Sequence, residues 1–522
     1  MESLQRHART QGIANGMESF NKKGILLWLE NGQLHYKAPK GALTPEEIAE
    51  LRARKDEIIA LLTERGHENE IESTPVVDTR LHKAPLTFSQ LARWNSLRQE
   101  RRPFTRSLAS AMRLYGPLDI DSFRKAFAEI VRRHDALRTQ IVVSNGMVMQ
   151  EISTTSVSEL NVCDLSKAPE EALETEVNRL IELHMLKPCD PAKDPLLEAS
   201  LITIHDREHV LILALEHIIS DAASLSILIR ELSAAYFDAL EGRPFSLPRI
   251  DIQFPDYAAW QRNEETSRVE QHGAYWLKHL AGCRRLRFPL DDTLSPLGRS
   301  GWGTVPVCIG RELRDELQRW CRSNQTTLTM CVFAAYVVFV LRWCDASEAV
   351  FPYQTDGRVS GKIDNTIGYF AAVLYLRIAL KDDDSFLDLL QRVTEEYCKA
   401  YDHADLSYID AQIPQPDFTL NSGFNWVPDE ARFQSTSSSR SNDTVTSVLI
   451  PDRYPVAFAN LEFDCEPCIL LTDLRDEVTG TVSFPLSRFS AETMTRFSRS
   501  LLKLIAALIS QPTACAKSIP LQ

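Results

Sequence analysis

Residues Leu211–Leu215 form an unbroken apolar run that ends in the polar turn Glu216-His217-Ile218-Ile219-Ser220-Asp221. From Ala222 onward Leu225, Leu228, Ile229, Leu232 and Tyr236 recur at helical spacing. A run without polar alternation predicts a strand covered on both faces, and the helix after it must lay its apolar stripe on that sheet. Such a unit belongs to a layered α/β fold, and strands and helices alternate from residue 85 to the end. The turn joining strand to helix concentrates the chemistry. Its His can face a cavity while the Asp four residues on ties the turn to a neighbour. On the turn alone, a buried histidine with satisfied hydrogen bonds is the more ordinary reading.

At 522 residues the chain exceeds one ordinary core, which predicts a small module plus a large two-lobed body. No apolar run approaches the roughly 18 residues a membrane helix needs, so no membrane partner is expected. The start, MESLQRHART, lacks the apolar core of a secretory signal, and the eleven cysteines are odd in number and scattered. Both features favour a cytoplasmic location. Cys465 and Cys468 form a lone C-x-x-C, which reads as two thiols, and no metal site is expected. A net charge of −13, without interleaved basic and aromatic residues, argues against nucleic acid.

Residues 1–66 read as a separate α+β unit. Ile25, Leu27 and Leu29 alternate with Leu26 and Trp28, Asn31-Gly32 supplies a favoured hairpin turn, and Leu34 and Tyr36 continue the return strand. Thr44-Pro45-Glu46-Glu47 then predicts a capped helix whose Ile48, Leu51, Ile58, Ile59 and Leu62 pack on the hairpin. Residues 67–84 lose this periodicity and read as a linker.

The segment GILLWLENGQLHYKAPKGALTPEEIAELRARKDEIIALL resembles the β-hairpin docking domains at the N-termini of some nonribosomal peptide synthetase subunits. That resemblance implies an upstream carrier protein as partner, its acidic C-terminal tail adding along the hairpin at Trp28, Lys37 and Lys40, with His35 nearby. The bland alternative is that these lysines are merely solvated beside Glu46, Glu47 and Glu50.

The turn LEHIISDAAS resembles the HHxxxDG core of synthetase condensation domains, and further segments of that family follow in order. Leu86-Thr87-Phe88-Ser89-Gln90 with Trp94 resembles its opening motif, and Arg132 to Thr139 its RHExLRT motif. Asp256 to Gln261 with Tyr275-Trp276 resembles the segment leading into the second lobe. Ile367-Gly368-Tyr369-Phe370 with Leu374 and Arg377 resembles IGxFVNTxxxR, while His403, Asp405 and Leu406 fall at HQDxPFE, and Phe424-Asn425-Trp426 fits a later strand.

The resemblance implies two chloramphenicol-acetyltransferase-like lobes in a V-shaped pseudo-dimer, 85–255 and 256–522, with a tunnel for two phosphopantetheine arms. No permanently bound cofactor is implied; the arm enters as substrate. His217 corresponds to the functional histidine, which removes or positions the proton of an amine or hydroxyl nucleophile, free or carrier-bound, as it attacks a carrier thioester. Asp221 corresponds to the motif Asp, paired in the family with the arginine at Arg138, and Arg133 has no assigned role. The helix start after Asp221 offers weak oxyanion stabilisation.

Glu216 stands where the family has its first histidine, Ala222 where it has glycine, and Ala223 where it commonly has Trp. Glu216 either raises the basicity of His217 or points away from it. The two alanines imply a reshaped pocket. The absence of adenylation and carrier motifs predicts action in trans, similar to free-standing, chain-releasing condensation enzymes of the enacyloxin type. Two rivals are a degenerate condensation-like domain that recruits partners, disfavoured by the retained His217, Asp221 and Arg138, and a coenzyme A acetyltransferase, disfavoured by the docking unit.

Overall fold

The computed structural model describes residues 26–30, 33–37, 55, 58, 81–99, 104–106, 108–154, 158–263, 265–289, 291, 301–358, 361–404, 422–428, 446–449, 467–474 and 476–521. Leu26–Glu30 pairs antiparallel with Gln33–Lys37, with Trp28 opposite His35 and Leu26 opposite Lys37 in the backbone register. Of the expected 45–62 helix, Lys55 and Ile58 are described; both are helical, with Ile58 buried and Lys55 exposed. Lys40 and Cys465 lie outside the described residues.

Among the described residues the large body contains two large sheets and two small ones, the small ones formed by Lys83–Pro85 with Met147–Ile152 and Thr139–Ser144, and by Phe104–Thr105 with Pro188–Cys189. In the first large sheet, the strand order is Thr446–Leu449, Leu108–Tyr115, Glu208–Leu215, Leu197–His205, Leu160–Asp164. The strand ending in Leu215 is central, antiparallel to both neighbours. That placement explains its unbroken apolar run. Leu211, Leu213 and Leu215 enter one hydrophobic cluster with Leu225, Leu228, Ile229, Leu232 and Tyr236 of the helix Ala222–Leu240. Val210, Ile212 and Ala214 point the other way, against Leu173, Val177 and Ile181 of the helix Glu170–Leu186. Each fully buried Leu or Ile contributes about 1.5–3 kcal/mol, so a polar substitution in this strand disrupts the layer its side chain enters.

The second sheet runs Trp302–Ile309, Val478–Pro485, Cys468–Asp473, Gly423–Pro428, Glu348–Thr355, Ala372–Ala379. Its cluster centres on the largely apolar helix Leu328–Trp343, capped by Thr327, whose hydroxyl oxygen accepts from Met330 N at 3.2 Å. The helices Phe386–Tyr401 and Ala491–Ser510 also pack there. Among the described residues no single helix is long and apolar enough to cross a membrane.

Core packing crosses residue 256. Phe254, Tyr257 and Trp260 pack with the first cluster, whereas Trp276 and Leu280 pack with the second. Ile363, Ile367 and Phe370 return to the first cluster, and Thr446–Leu449 adds to the edge of the first sheet. Long-range returns of this kind leave no mark in local periodicity. They bring Arg358 and residues 361–371 against the His217 turn.

Gly368 shows how close that return is. A Cβ there would lie 2.1 Å from the Phe254 ring, itself fully buried. Gly368→Ala is expected to cost about 1–3 kcal/mol, seen as a lowered thermal midpoint; an unchanged midpoint would mean that Phe254 yields freely.

Candidate functional site

Strand and helix meet at a 3₁₀ turn, His217–Ile219, whose residues are buried. Glu216 caps it, one carboxylate oxygen accepting from the Ile218 backbone N–H. The turn is clamped from behind by the helix Phe88–Gln99. Gln90 Nε2 donates to the Ile218 carbonyl at 2.8 Å, and Arg93 donates to Glu216 Oε1 through Nε at 3.0 Å and Nη2 at 2.5 Å. Arg93 and Glu216 side chains are 2% and 0% exposed, so neither charge is relieved by water. Glu216 therefore turns towards the protein and carries a structural load.

On the far side Asp221 caps the helix Ala222–Leu240 by accepting from Ser224 N at 2.7 Å. Its partner is Arg358, from the segment after the strand Glu348–Thr355, through contacts of 2.9 Å and 3.2 Å. The expected pairing with Arg138 is thus corrected: Arg138 instead donates to Asp135 and to the Ser153 carbonyl. Arg138 braces the turn Asp135–Arg138 locally, while Arg358 reaches across from the second lobe.

Asp221 Oδ2 also accepts from the backbone N–H groups of Phe370 at 3.0 Å and Ala371 at 3.2 Å. Ser224 Oγ lies 2.7 Å from Asp221 Oδ1 and 2.8 Å from the Gly368 carbonyl. Burial raises the Asp221 carboxyl, but the Arg358 charge and the hydrogen bonds from Arg358 and Ser224 outweigh it and hold the group below the ordinary carboxylate value. The helix start therefore already carries a carboxylate, bonded to the Ser224 N–H.

His217 is held between these clamps. It is 2% exposed, and its ring meets Tyr369 at a centroid distance of 4.5 Å. Burial, then the Arg93 charge, lowers the imidazole from its ordinary value; Glu216 and Asp221 pull the other way without reversing the direction. A neutral imidazole can accept a proton, the property a general base needs. Glu216 does support basicity at His217, but burial and Arg93 prevail. Ala222 and Ala223 are half-buried at the opening of the helix.

Arg133, left without a role by the sequence, donates to Glu231 at 3.0 Å, and His134 Nε2 lies 2.9 Å from the same carboxylate oxygen. In the second lobe two resembling segments meet: Trp276 Nε1 donates to the His403 carbonyl at 3.0 Å, and the Tyr275 ring stacks on His403 at 3.8 Å. Asp405 and Leu406 lie outside the described residues. Sequence reasoning missed Arg93 and Arg358. Arg93 had a signal, because it follows Gln90 by three residues and so shares its helix face. Arg358 had none.

Residues 80–521 match the family described as the Condensation domain, and residues 13–64 match the TubC N-terminal docking domain. A linear gramicidin synthase of Brevibacillus parabrevis is 27% identical over 469 residues, covering 87% of this chain and 9% of that protein. The chain thus spans a small fraction of the length of such synthetases. The first condensation domain of the calcium-dependent antibiotic synthetase superposes with a TM-score of 0.67 at 17% identity, covering 84% of this chain and 99% of that one. The cyclization-docking bidomain of EpoB from Sorangium cellulosum gives 0.68 at 18%, covering 96% and 98%. At these identities the likeness shows the fold: two chloramphenicol-acetyltransferase-like lobes.

Proposed function

Because the chain belongs to the condensation-domain family of nonribosomal peptide synthetases, we propose that it moves an acyl or peptidyl chain from a carrier-protein phosphopantetheine thioester to an amine or hydroxyl. The observation that carries this reading is a buried His217, its imidazole held below the ordinary histidine value, on a turn clamped by Arg93–Glu216 behind and Arg358–Asp221 in front.

The thioester is already activated, so the chemistry demands little. As the nucleophile attacks the thioester carbonyl, His217 takes its N–H or O–H proton. The C–S bond breaks, the proton goes to sulfur, and an amide or ester leaves the carrier thiol free. A base so placed supplies about 10²–10⁴-fold, and holding both substrates together supplies much of the rest. The phosphopantetheine arm is substrate and needs no resident cofactor. The upstream carrier docks in trans through its C-terminal tail, with Trp28, Lys37 and Lys40 of the hairpin unit as the contacts; the docking-domain match supports this.

The test is intact-mass spectrometry of an acyl-loaded carrier protein bearing its native C-terminal tail, mixed with the protein and with candidate amines and alcohols, free or carrier-bound. Acceptor-dependent unloading, reduced when the tail is removed, is the expected result. A folded protein that binds the tail and never unloads the carrier would overturn the reading in favour of a recruitment domain.

A further inference from the structure

Directly behind His217 lies a charge pair that the acyl-transfer chemistry does not itself require. Arg93 and Glu216 are both buried, and the guanidinium grips one carboxylate oxygen with two N–H groups. The other carboxylate oxygen holds the Ile218 N–H, one residue from the imidazole. Gln90, one helical turn before Arg93, fixes the Ile218 carbonyl from the same helix. The backbone N–H and carbonyl of Ile218 are therefore tied, through Glu216 and Gln90, to the helix Phe88–Gln99.

We propose that Arg93 is a positioning residue for His217: its guanidinium and the Glu216 carboxylate form one unit that fixes the turn and sets the electrostatic field at the imidazole. This inference rests on His217 being the base. A lone carboxylate next to the imidazole would favour the protonated ring, and a lone guanidinium would oppose it. Placed together, the two oppose each other, with Arg93 the stronger influence.

The other groups facing this centre do not take over that role. Asp221, which closes the same turn, is matched by Arg358 from the second lobe. Tyr369 presents its ring to the imidazole. Cys189, on the strand Pro188–Cys189, feels both Glu216 and Arg93, but burial first and Glu216 next push its thiol up to about 12, so it stays uncharged. Arg93 is the cation whose removal leaves the Glu216 charge uncompensated beside His217.

The experiment is a pH titration of the histidine ring nitrogens by two-dimensional NMR on the full chain, with the His217 signals assigned by their loss in His217→Ala. Arg93→Met is expected to raise the proton affinity of His217 about tenfold or more, and Glu216→Gln to lower it. The pH dependence of carrier unloading should move in the same directions. Midpoints that stay at the wild-type value, or that shift the same way in both variants, overturn the inference. Arg93→Met is the variant more prone to misfold; Glu216→Gln keeps the shape and an acceptor for Arg93, and its midpoint decides alone if necessary. If the midpoints move as expected while His217→Ala still unloads the carrier, the coupling stands and the assignment of His217 as base falls.

Discussion

Replacing His217 with alanine is expected to reduce acceptor-dependent carrier unloading by about 10²–10⁴-fold, with tail binding unchanged. The residual rate would come from bringing two substrates together on an activated thioester, which needs no base. The wild-type profile should carry the complementary signature. Burial and Arg93 lower His217, so the imidazole remains neutral below the ordinary histidine range. Unloading should therefore hold its plateau as pH drops through about 6.5 and decline only further down, when the ring protonates. A decline centred on the ordinary value would mean that the ring is solvated in the working enzyme. Full activity in the alanine variant would remove His217 from the chemistry.

Arg358→Met should be the most damaging single change to the fold at the site, costing about 3–5 kcal/mol, because it leaves Asp221 buried and uncompensated. Asp221 and Arg358 side chains are 2% and 4% exposed, and their contact ties the His217 turn to the segment that also carries Gly368 and Phe370. Arg138→Met should cost clearly less, since Arg138 is 11% exposed and serves a partner three residues away. Equal losses, measured by denaturant unfolding, would contradict the reassignment of the Asp221 partner. The acid limb gives a second check. The Asp221 carboxyl is held below its unfolded value of about 3.9, so its contribution is complete above that pH and is lost as pH falls through the lower folded value. Asp221→Asn should remove that part of the acid slope.

Much of this site was legible because its signals are local. The strand, turn and helix around His217 follow from an apolar run, a polar break and a 3.6-residue stripe, each complete within one short segment. The hairpin was legible around Asn31-Gly32 for the same reason. The turn holding Glu216, His217 and Asp221 was legible from its residues, yet family resemblance assigned Asp221 to Arg138. Arg358 lies 137 residues from Asp221 along the chain, in a segment without periodicity, and nothing local marks it as a partner. Glu216 was ambiguous because a carboxylate beside a histidine can face it or turn away. Arg93 resolves that choice by offering a buried cation on the opposite side.

The sequence by itself determined the elements: a docking hairpin, a central strand covered on both faces, and a histidine-bearing turn at its end, because periodicity and turn chemistry act over a few residues. The tertiary structure alone decided which charges meet. A buried ion pair is chosen by whichever partners the folded chain brings within hydrogen-bond reach, since desolvation makes any unmatched alternative costly. That selection put Arg358 on Asp221 and Arg93 on Glu216, and with them the charges that surround His217.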